Sequence, residues 1–329
     1  MDAIVLGRGN VAMALLRLLK DTHFPWSERL RITGIASRRG GIEEAGISFA
    51  GQPGQLPAAG NATAAISAGR SDGTTTEEIT RWIERHSAHL VIDTTSLDST
   101  DFLATLPYVQ AALSAGKHVI TANKGPVALR YFELARTAAA AKVQFLFKAT
   151  VMDGVPVLDF PRWMLPGCRL KSFRGVLNST TNVILDQVAS GRRFQTALDY
   201  CRSIGVTEGD PSHDLEGKDA ALKIAICAQH FWQQPVALGE IARVALDGDV
   251  MPPPAGKRWR IICRGYPGGG QMELSAVAPE DLMYSIEGTS NALEFETDLM
   301  GRISIAEIHP GLTQTAYGIV YDLWKILGQ

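Results

Sequence analysis

The sequence predicts an α/β protein of two domains, a doubly wound parallel sheet followed by a second domain that mixes helices with antiparallel strands. Three observations lead to this prediction. The chain has 329 residues, more than one ordinary hydrophobic core accommodates. A glycine-rich turn directly follows the first apolar run, and further apolar runs alternate with segments of helical periodicity. Such alternation is typical of parallel sheets.

The composition is that of an ordinary globular protein and argues against several classes of partner. Hydrophobic residues make up 46% of the chain, charged residues make up 20%, and the formal net charge is −2. No basic surface for a nucleic acid is therefore indicated. The four cysteines lie far apart in the sequence, which fits a reducing cytoplasm. Because we find neither a signal peptide nor an apolar run of membrane-spanning length, we expect no membrane partner.

The first strand and helix are predicted from the start of the chain. The apolar run at 3–6 leads into GRGNVA at 7–12, and helical spacing follows at 13–20. In a G-x-G-x-x-G/A turn the glycines let the backbone approach a pyrophosphate at a helix N-terminus. An apolar run at 31–36 places the next strand at the spacing of a Rossmann unit,. The predicted cofactor-binding residues of this turn are Gly7, Gly9, Asn10 and Val11. A tight turn without a ligand is the alternative.

The end of the second predicted strand indicates which dinucleotide is bound. An acidic residue there would bind a free ribose 2′-hydroxyl, but the sequence has Ser37, Arg38 and Arg39. Guanidinium groups bind phosphate oxygens in a bidentate manner, so these residues favour NADP(H), with NAD(H) possible. The alternative is that the two arginines are solvated and pair with Glu43 and Glu44, which follow closely in the sequence,.

Regular structure is predicted to resume after a glycine-rich stretch at 40–73, which we expect to be an irregular surface excursion,. A helix near 76–87, a strand at 90–92, a helix near 101–115 and a strand at 118–120 follow. His86 and His89 straddle the end of the first of these helices. Because no third ligand is nearby, we expect both histidines at the surface and not at a metal.

Polar residues follow two of these strands, at the sheet edge where ligands of parallel sheets bind. Thr94 and Thr95 come shortly after one strand, and Asn123 and Lys124 come shortly after the next. We expect all four beside the cofactor, with Lys124 near its nicotinamide end. The alternative for Lys124 is a lysine that only caps a solvated loop.

The stretch EGDPSHDLEGKDAALKIAICA at 208–228 has acids in its first half and one lysine in its apolar second half. On a helix, Glu216, Asp219 and Lys223 would share one face, and the apolar residues around Lys223 predict that the helix is buried. A buried ammonium requires a partner or a cleft, although a salt-bridged surface pair has the same spacing. The preceding acids suit a substrate that carries an ammonium group, the alternative being a solvated acidic loop.

The last part of the chain is predicted to complete the second domain. After three prolines at 252–254, alternating runs at 260–263 and 272–277 predict antiparallel strands joined through glycines 268–270,. The spacing of apolar residues at 315–327 predicts a last amphipathic helix,.

Five segments together resemble the homoserine dehydrogenases, which interconvert L-aspartate 4-semialdehyde and L-homoserine with NAD(P)H. The segments are GRGNVA at 7–12, AGKHVITANKGPVA at 115–128, ATVMDGVPV at 149–157, GVLNSTTN at 175–182 and EGDPSHDLEGKDAALK at 208–223. The resemblance implies the short, monofunctional form of an enzyme of threonine and methionine biosynthesis. It also implies a nucleotide-binding Rossmann domain at 1–147, completed by a C-terminal helix at 311–329, and a catalytic and dimerisation domain at 148–310.

Residue roles are implied where the residues match the family. The implied catalytic residues are Lys223, Lys124 and Asp219, of which Asp219 supports Lys223. The implied substrate-binding residues are Glu208, Asp214, Asn178, Ser179 and Thr180. The family more often has glycine at Ser179 and usually has glutamate at Lys148, so a monovalent cation near Lys148 and the identity of the substrate stay open. The resemblance further implies a homodimer formed through the sheet of the second domain.

Two other functions stay open on the sequence alone. One is an NAD(P)-dependent reductase of a different small amino aldehyde or keto acid, suggested by Lys148 and Ser179. The other is a catalytically silent dinucleotide sensor, which would bind NADPH without turnover. The presence of both lysines and of Asp219 argues against the sensor.

Overall fold

The computed structural model describes residues 1–22, 24–49, 73–98, 100–207 and 210–328. The chain divides into two compact units, the first consisting of Met1–Gly154 with Gly311–Gln329 and the second of Val155–Pro310. Across the described ranges, no helix has both the length and the apolar character needed to cross a lipid bilayer.

The first unit is a sheet covered by helices. Its elements are β1 (Asp2–Leu6), α1 (Asn10–Asp21), β2 (Arg31–Ser37), β3 (Gly41–Ser48), α2 (Thr76–Arg85), β4 (Leu90–Asp93), α3 (Leu106–Ser114), β5 (His118–Thr121), α4 (Lys124–Ala141), β6 (Phe145–Leu146) and a C-terminal helix (Leu312–Leu327). The strand order is β3-β2-β1-β4-β5-β6. All neighbouring pairs are parallel except β2 with β3. The predicted doubly wound sheet is therefore confirmed, with one antiparallel edge strand in addition.

Strand β3 corrects the expectation of an irregular excursion at 40–73. It runs antiparallel to β2, with Ile42 opposite Ala36. Its own strand propensity is low because glycine and glutamate fill half of its positions,. Pairing with β2 supplies the backbone hydrogen bonds that this local sequence does not predict. Residues 50–72 of the same stretch lie outside the described residues.

Strand β1 explains why this sheet needs helices on both faces. Ala3 and Val5 belong to a core shared with α1 and the C-terminal helix, whereas Ile4 and Leu6 belong to a core shared with α2 and α3. All four side chains are at most 1% exposed. A strand that is buried on both sides is apolar at successive positions, as the sequence of β1 is.

The second unit contains an antiparallel sheet. Its elements are α5 (Phe160–Trp163), β7 (Leu170–Val176), α6 (Ser179–Ala189), α7 (Phe194–Ser203), α8 (Ser212–Leu215), α9 (Lys218–Trp232), β8 (Arg258–Tyr266), β9 (Gly269–Val277), β10 (Asn291–Thr297) and β11 (Arg302–Glu307). The strand order is β11-β10-β7-β8-β9, and every pair is antiparallel. The predicted hairpin of β8 and β9 is confirmed. Its turn needs only Pro267 and Gly268, and Gly268 has a φ of 78°.

Helix α9 packs on one face of this sheet and is buried as predicted. Phe173 of β7 stacks on Trp232 at a centroid distance of 6.0 Å and meets Phe231 edge-on at 5.8 Å. The next residue along β7, Arg174, projects to the opposite face. There its guanidinium pairs with Glu294 at 2.8 Å. The sheet thus has an apolar face under α9 and a charged face opposite to it.

Candidate active site

The glycine turn after β1 has a close backbone approach at Gly7 and open space at Gly9. Gly7 has a φ of 99°, and a Cβ atom there would lie 2.8 to 2.9 Å from atoms of Thr94, so only glycine is accommodated. At Gly9 a Cβ atom would meet nothing within 4 Å. Gly9 also caps α1 without a side-chain hydrogen bond, and the first turn of α1 contains no acid. Open space beside an uncapped helix N-terminus fits a pyrophosphate.

Helix α1 begins earlier than the periodicity predicts. Its first residues are Asn10 and Val11, not Met13. Asn10 is exposed and Val11 is half-buried. Both residues therefore belong to the first helical turn, whose N–H groups have no partner within the helix.

The end of β2 presents two arginines with little competition for their charge. The Ser37 hydroxyl accepts a hydrogen bond from the Gly40 N–H at 2.8 Å. Arg38 lies 3.6 Å from Asp98, and its side chain is 56% exposed, so this pair is weak. Arg39 is exposed. It makes no ion pair with any residue that the structure describes.

The alternative partners of these arginines are engaged elsewhere. Glu43 pairs with Arg8 of the glycine turn at 3.1 Å. Glu44 lies 3.4 Å from Nε2 of His86, and the His86 ring packs edge-on against Trp82 at 5.0 Å. The alternative, in which Glu43 and Glu44 pair with Arg38 and Arg39, is therefore wrong for the described residues. His86 is half-buried, not at the surface as expected, whereas His89 is exposed.

The ends of β4 and β5 bring together the four polar residues predicted beside the cofactor. The Thr94 hydroxyl donates to the Leu6 carbonyl of β1 at 2.8 Å. Asn123 Nδ2 donates to Thr95 Oγ1 at 3.2 Å. Asn123 also caps α4 through its Oδ1, and Lys124 is the first residue of that helix. Lys124 is half-buried, so it lies at the rim of the sheet and not in an exposed loop.

In the second unit, Lys223 and Asp219 form the predicted pair. Lys223 Nζ lies 2.8 Å from Asp219 Oδ2, with side-chain exposures of only 16% and 13%. The same ammonium donates to the Leu177 carbonyl at 2.6 Å. These low exposures argue against the alternative of a solvated surface pair.

Glu216 does not share the face of Lys223. Gly217 has a φ of 70° and precedes α9, which begins at Lys218. The break directs Glu216 away from the helix, and its carboxylate pairs with Lys218 instead. The predicted alignment of Glu216 with Asp219 and Lys223 is therefore wrong, because it assumed that the helix continues through Gly217.

The Asn178 amide links Asp214, which is predicted to bind the substrate, to Asp219, which is predicted to support Lys223. Its Nδ2 donates to Asp214 Oδ1 at 2.7 Å and to Asp219 Oδ2 at 3.1 Å. Thr180 donates from Oγ1 to Asp214 Oδ2 at 2.8 Å. Burial and, to a lesser extent, the charge of Asp219 raise the pKa of Asp214, while these hydrogen bonds and Lys223 oppose the shift. The pair Asp214 and Asp219 therefore holds negative charge at an electrostatic cost, which a bound cation would relieve.

Two other predicted substrate-binding residues stand apart from this network. Ser179 donates from Oγ to the Thr289 carbonyl at 2.9 Å. Glu208 lies outside the described residues. The Leu177 carbonyl was missed by sequence reasoning, because a backbone acceptor has no signal in the side-chain pattern.

Lys148 is buried in the first unit. It is 3% exposed, and its ammonium lies 4.1 Å from the centre of the Tyr321 ring, a distance typical of cation–π contacts. Its backbone N–H donates to Asp322 Oδ2 at 2.8 Å. Among the described residues, no group of three or more His, Cys, Asp or Glu side chains could hold a metal ion.

The chain is similar to known proteins over nearly all of its length. A family model described as "Homoserine dehydrogenase" matches residues 156–324, and one described as "Homoserine dehydrogenase, NAD binding domain" matches residues 7–148. The chain is 27% identical to the NAD(+)-dependent homoserine dehydrogenase of Pseudomonas canavaninivorans, over 98% of this chain and 95% of that protein. It is 29% identical to the homoserine dehydrogenase of Methanocaldococcus jannaschii, over 99% of this chain and 98% of that protein.

Solved structures are similar in fold. The homoserine dehydrogenase of Thermoplasma acidophilum superposes with a TM-score of 0.81 at 22% identity, covering 100% of this chain and 99% of that chain. A hyperthermophilic archaeal homoserine dehydrogenase in complex with NADPH also gives a TM-score of 0.81, at 24% identity, covering 98% of this chain and 96% of that chain.

Proposed function

Because the chain belongs to the homoserine dehydrogenase family, we propose that Lys223 carries the proton chemistry of its NAD(P)-dependent homoserine dehydrogenase activity. The reaction interconverts L-aspartate 4-semialdehyde and L-homoserine. When bound, the cofactor supplies the hydride that reduces the aldehyde carbon. Negative charge then grows on the carbonyl oxygen, and that oxygen must gain a proton.

The observation that carries the proposal is the fixed position of the Lys223 ammonium. Asp219 holds it at 2.8 Å and the Leu177 carbonyl holds it at 2.6 Å, in surroundings that are mostly buried. A preorganised ammonium stabilises a developing oxyanion more strongly where water is scarce. In reduction it donates a hydrogen bond and then a proton to the oxygen, and in oxidation it takes the proton back.

The test is replacement of Lys223 by methionine, which keeps the length of the side chain but removes the charge. The kcat should fall by about 100- to 1000-fold, the effect of removing one oxyanion donor. The dissociation constant for NADPH, measured by fluorescence titration, should stay within about twofold because binding of the dinucleotide does not use this ammonium.

Lys218→Met is the matched control. Lys218 begins the same helix, and its partner is the exposed Glu216, so kcat should not change. A Lys223→Met enzyme that folds, as judged by circular dichroism, and turns over like the wild type would contradict the assignment.

We propose Lys124 as the second catalytic lysine. It begins α4 directly after its cap residue Asn123, at the edge of the sheet where dinucleotides of this fold bind. Its role is to supply positive charge near the nicotinamide end of the cofactor. Lys124→Met should therefore lower kcat while the fold and the thermal unfolding midpoint are retained.

The amino group of the substrate is proposed to bind at Asp214, together with Glu208 and the polar residues Asn178, Ser179 and Thr180. Asp214 supports this proposal because it is a carboxylate held by two neutral donors beside a second carboxylate. An ammonium group completes such an arrangement by neutralising the excess negative charge. This preference also separates the enzyme from a reductase of simple keto acids, whose substrates lack the ammonium.

We propose NADP(H) as the preferred cofactor, bound by the glycine turn with Ser37, Arg38, Arg39, Thr94 and Thr95. The exposed guanidiniums at the end of β2 support this preference, since the nearest ion pair is the long contact of Arg38 with Asp98. Arg39→Ala should raise KM for NADPH by about 10-fold or more, the contribution of a charge-assisted hydrogen bond, and leave KM for NADH unchanged. Arg85→Ala, at an exposed arginine of α2, is the control. Equal KM values for both cofactors in the wild type would contradict the preference.

We also propose a homodimer formed through the charged face of the second unit's sheet. There Arg174 pairs with Glu294 and with Asp281, which follows β9, and Arg302 also pairs with Glu294. A surface that carries charges of both signs can complement a second copy of itself about a two-fold axis. Arg302→Glu should convert the dimer to a monomer in sedimentation equilibrium, whereas Arg202→Glu on α7 should not. A wild-type protein that sediments as a monomer at micromolar concentration would refute the dimer.

A reducing, cytoplasmic location is proposed from the cysteines. All four are free thiols, and three of them are buried.

A further inference from the structure

Asp93, the last residue of β4, is a buried carboxyl group that the proposed chemistry does not use. Its exposure is 0%. Within the described part of the chain, its hydrogen-bond donors are two threonines and no cationic side chain contacts it. Burial of a carboxyl group without a cation is costly, and burial raises its pKa here,. Such a cost is expected where the group has a task that an apolar residue cannot perform.

The contacts of Asp93 form part of a closed ring of hydrogen bonds. Its Oδ1 accepts from the Thr95 N–H at 3.0 Å and from the Thr95 hydroxyl. Its Oδ2 accepts from Thr121 Oγ1 at 2.8 Å, and Thr121 Oγ1 in turn accepts from the Asn123 N–H at 3.0 Å. Asn123 Nδ2 returns to Thr95 Oγ1 at 3.2 Å. The ring therefore joins the segment after β4 to the segment after β5.

The ring determines where α4 begins. Asn123 Oδ1 accepts from the Gly125 N–H at 3.1 Å, which fixes the backbone on both sides of Lys124. Gly125 itself lies against the chain, since a Cβ atom there would be 1.8 Å from the Phe102 carbonyl oxygen. The backbone of Lys124 is thus held by a hydrogen bond that spans it and by the close packing of its neighbour Gly125.

We propose that Asp93 is a positioning residue, which holds Lys124 in its reactive place through Thr121 and Asn123 without touching the substrate. The inference rests on the role proposed for Lys124. A carboxyl group suits this positioning role because it accepts three hydrogen bonds, two from Thr95 and one from Thr121. Asparagine offers only one oxygen. If that oxygen keeps the two donors on Thr95, the amide nitrogen cannot accept from the Thr121 hydroxyl, and this hydrogen bond of the ring is lost in its present direction,.

The test consists of two double-mutant cycles, in which Thr121→Val and Asp93→Asn are each combined with Lys124→Met. In the wild-type background, Thr121→Val and Asp93→Asn should each lower kcat by about 10- to 100-fold, the effect of displacing a catalytic group by up to 1 Å. In the Lys124→Met background, the same changes should lower kcat by less than about threefold, because the group that they position is already absent. Thr121→Ser restores the hydroxyl and should restore kcat.

Thr105→Val is the matched control. Thr105 is also a buried threonine, at 4% exposure, and its hydroxyl has no hydrogen-bond partner in the described residues. The same chemical change there should leave kcat unaltered. Thermal unfolding of each variant verifies that the fold is retained.

The outcomes separate the two proposals. A wild-type kcat in Lys124→Met would contradict the role of Lys124 itself. If Lys124→Met lowers kcat as expected but Thr121→Val and Asp93→Asn leave kcat unchanged, the positioning role of Asp93 alone would be overturned. Losses that multiply fully with that of Lys124→Met would also overturn it, because they would show that Asp93 acts independently of this lysine.

Discussion

Replacement of Asp214 by asparagine tests how the substrate's amino group is bound. Asp214 accepts hydrogen bonds from Asn178 at 2.7 Å and Thr180 at 2.8 Å, and asparagine can accept only through one oxygen. The variant also loses the charge that would bind the ammonium of homoserine. A hydrogen bond to a charged group contributes about 1.5 to 3 kcal/mol. The value of kcat/KM for homoserine should therefore fall by about 10- to 150-fold.

The dependence of the same rate on pH gives a second measure. Because the pKa of Asp214 is raised by burial and by Asp219, its charge is lost at a higher pH than that of an ordinary aspartate. As the pH falls through that raised value, wild-type kcat/KM for homoserine should decline, since this quantity reports ionisation of the free enzyme. The apparent pKa belongs to the pair of carboxylates. In Asp214→Asn this acid limb should move or disappear.

Asp210→Asn is the control for this prediction. Asp210 lies in the same acidic segment but is exposed and accepts from the Ser212 N–H at 3.0 Å. Its replacement should change kcat/KM by less than about twofold, as expected for a solvated surface group. An unchanged kcat/KM in Asp214→Asn would refute the reasoning, as would an equal loss in both variants.

Three further predictions concern the fold and the cofactor site. Gly7→Ala should lower the free energy of unfolding by about 1 to 3 kcal/mol because alanine is strained at this φ and its Cβ would contact Thr94. Gly9→Ala should keep the unfolding midpoint but weaken NADPH binding. Denaturant unfolding measures the first effect and fluorescence titration measures the second. Asp186→Ala should lower the free energy of unfolding by about 3 to 5 kcal/mol. The reason is that Arg260, which is 1% exposed and pairs with Asp186 at 2.8 Å, would lose its only carboxylate partner among the described ion pairs. Adding Arg260→Met to Asp186→Ala should recover much of that loss. Because the pKa of Asp93 is raised in the folded state, its protonated form should contribute to the free energy of unfolding fully below the ordinary aspartate pKa of 3.8. This contribution should be lost as the pH rises through the raised pKa,. The free energy of unfolding of Asp93→Asn should therefore depend less on pH than that of the wild type.

The elements that sequence reasoning predicted well are those with a strong local pattern. The glycine turn, the buried strand β1 and the apolar helix α9 each carry their signal within about 20 residues, because burial on one or all faces dictates the spacing of apolar side chains. The pair of Asp219 and Lys223 follows from helical geometry alone. These parts of the fold and of the candidate site can therefore be predicted from the sequence.

The parts that were missed depend on contacts between distant segments. Asn178 and Asp214 are 36 positions apart, and the packing of α6 against α8 brings them together. Strand β3 was missed because its pairing with β2 overrides a weak local propensity. The wrong prediction for Glu216 has a local cause. The left-handed conformation of Gly217 separates the short helix α8 from helix α9. A glycine permits that break but does not require it.

The interrupted course of the first unit through the chain has a consequence for synthesis on the ribosome. The nucleotide-binding sheet is translated before the second unit, whereas Ala316, Ile319 and Leu323, which complete one side of its core, are translated after it. The intervening segment 155–310 can emerge and fold before the C-terminal helix has been made, so that side of the sheet is still exposed. We therefore expect nascent chains that stop before residue 312 to depend on chaperones and to be sensitive to proteases in the first 150 residues,.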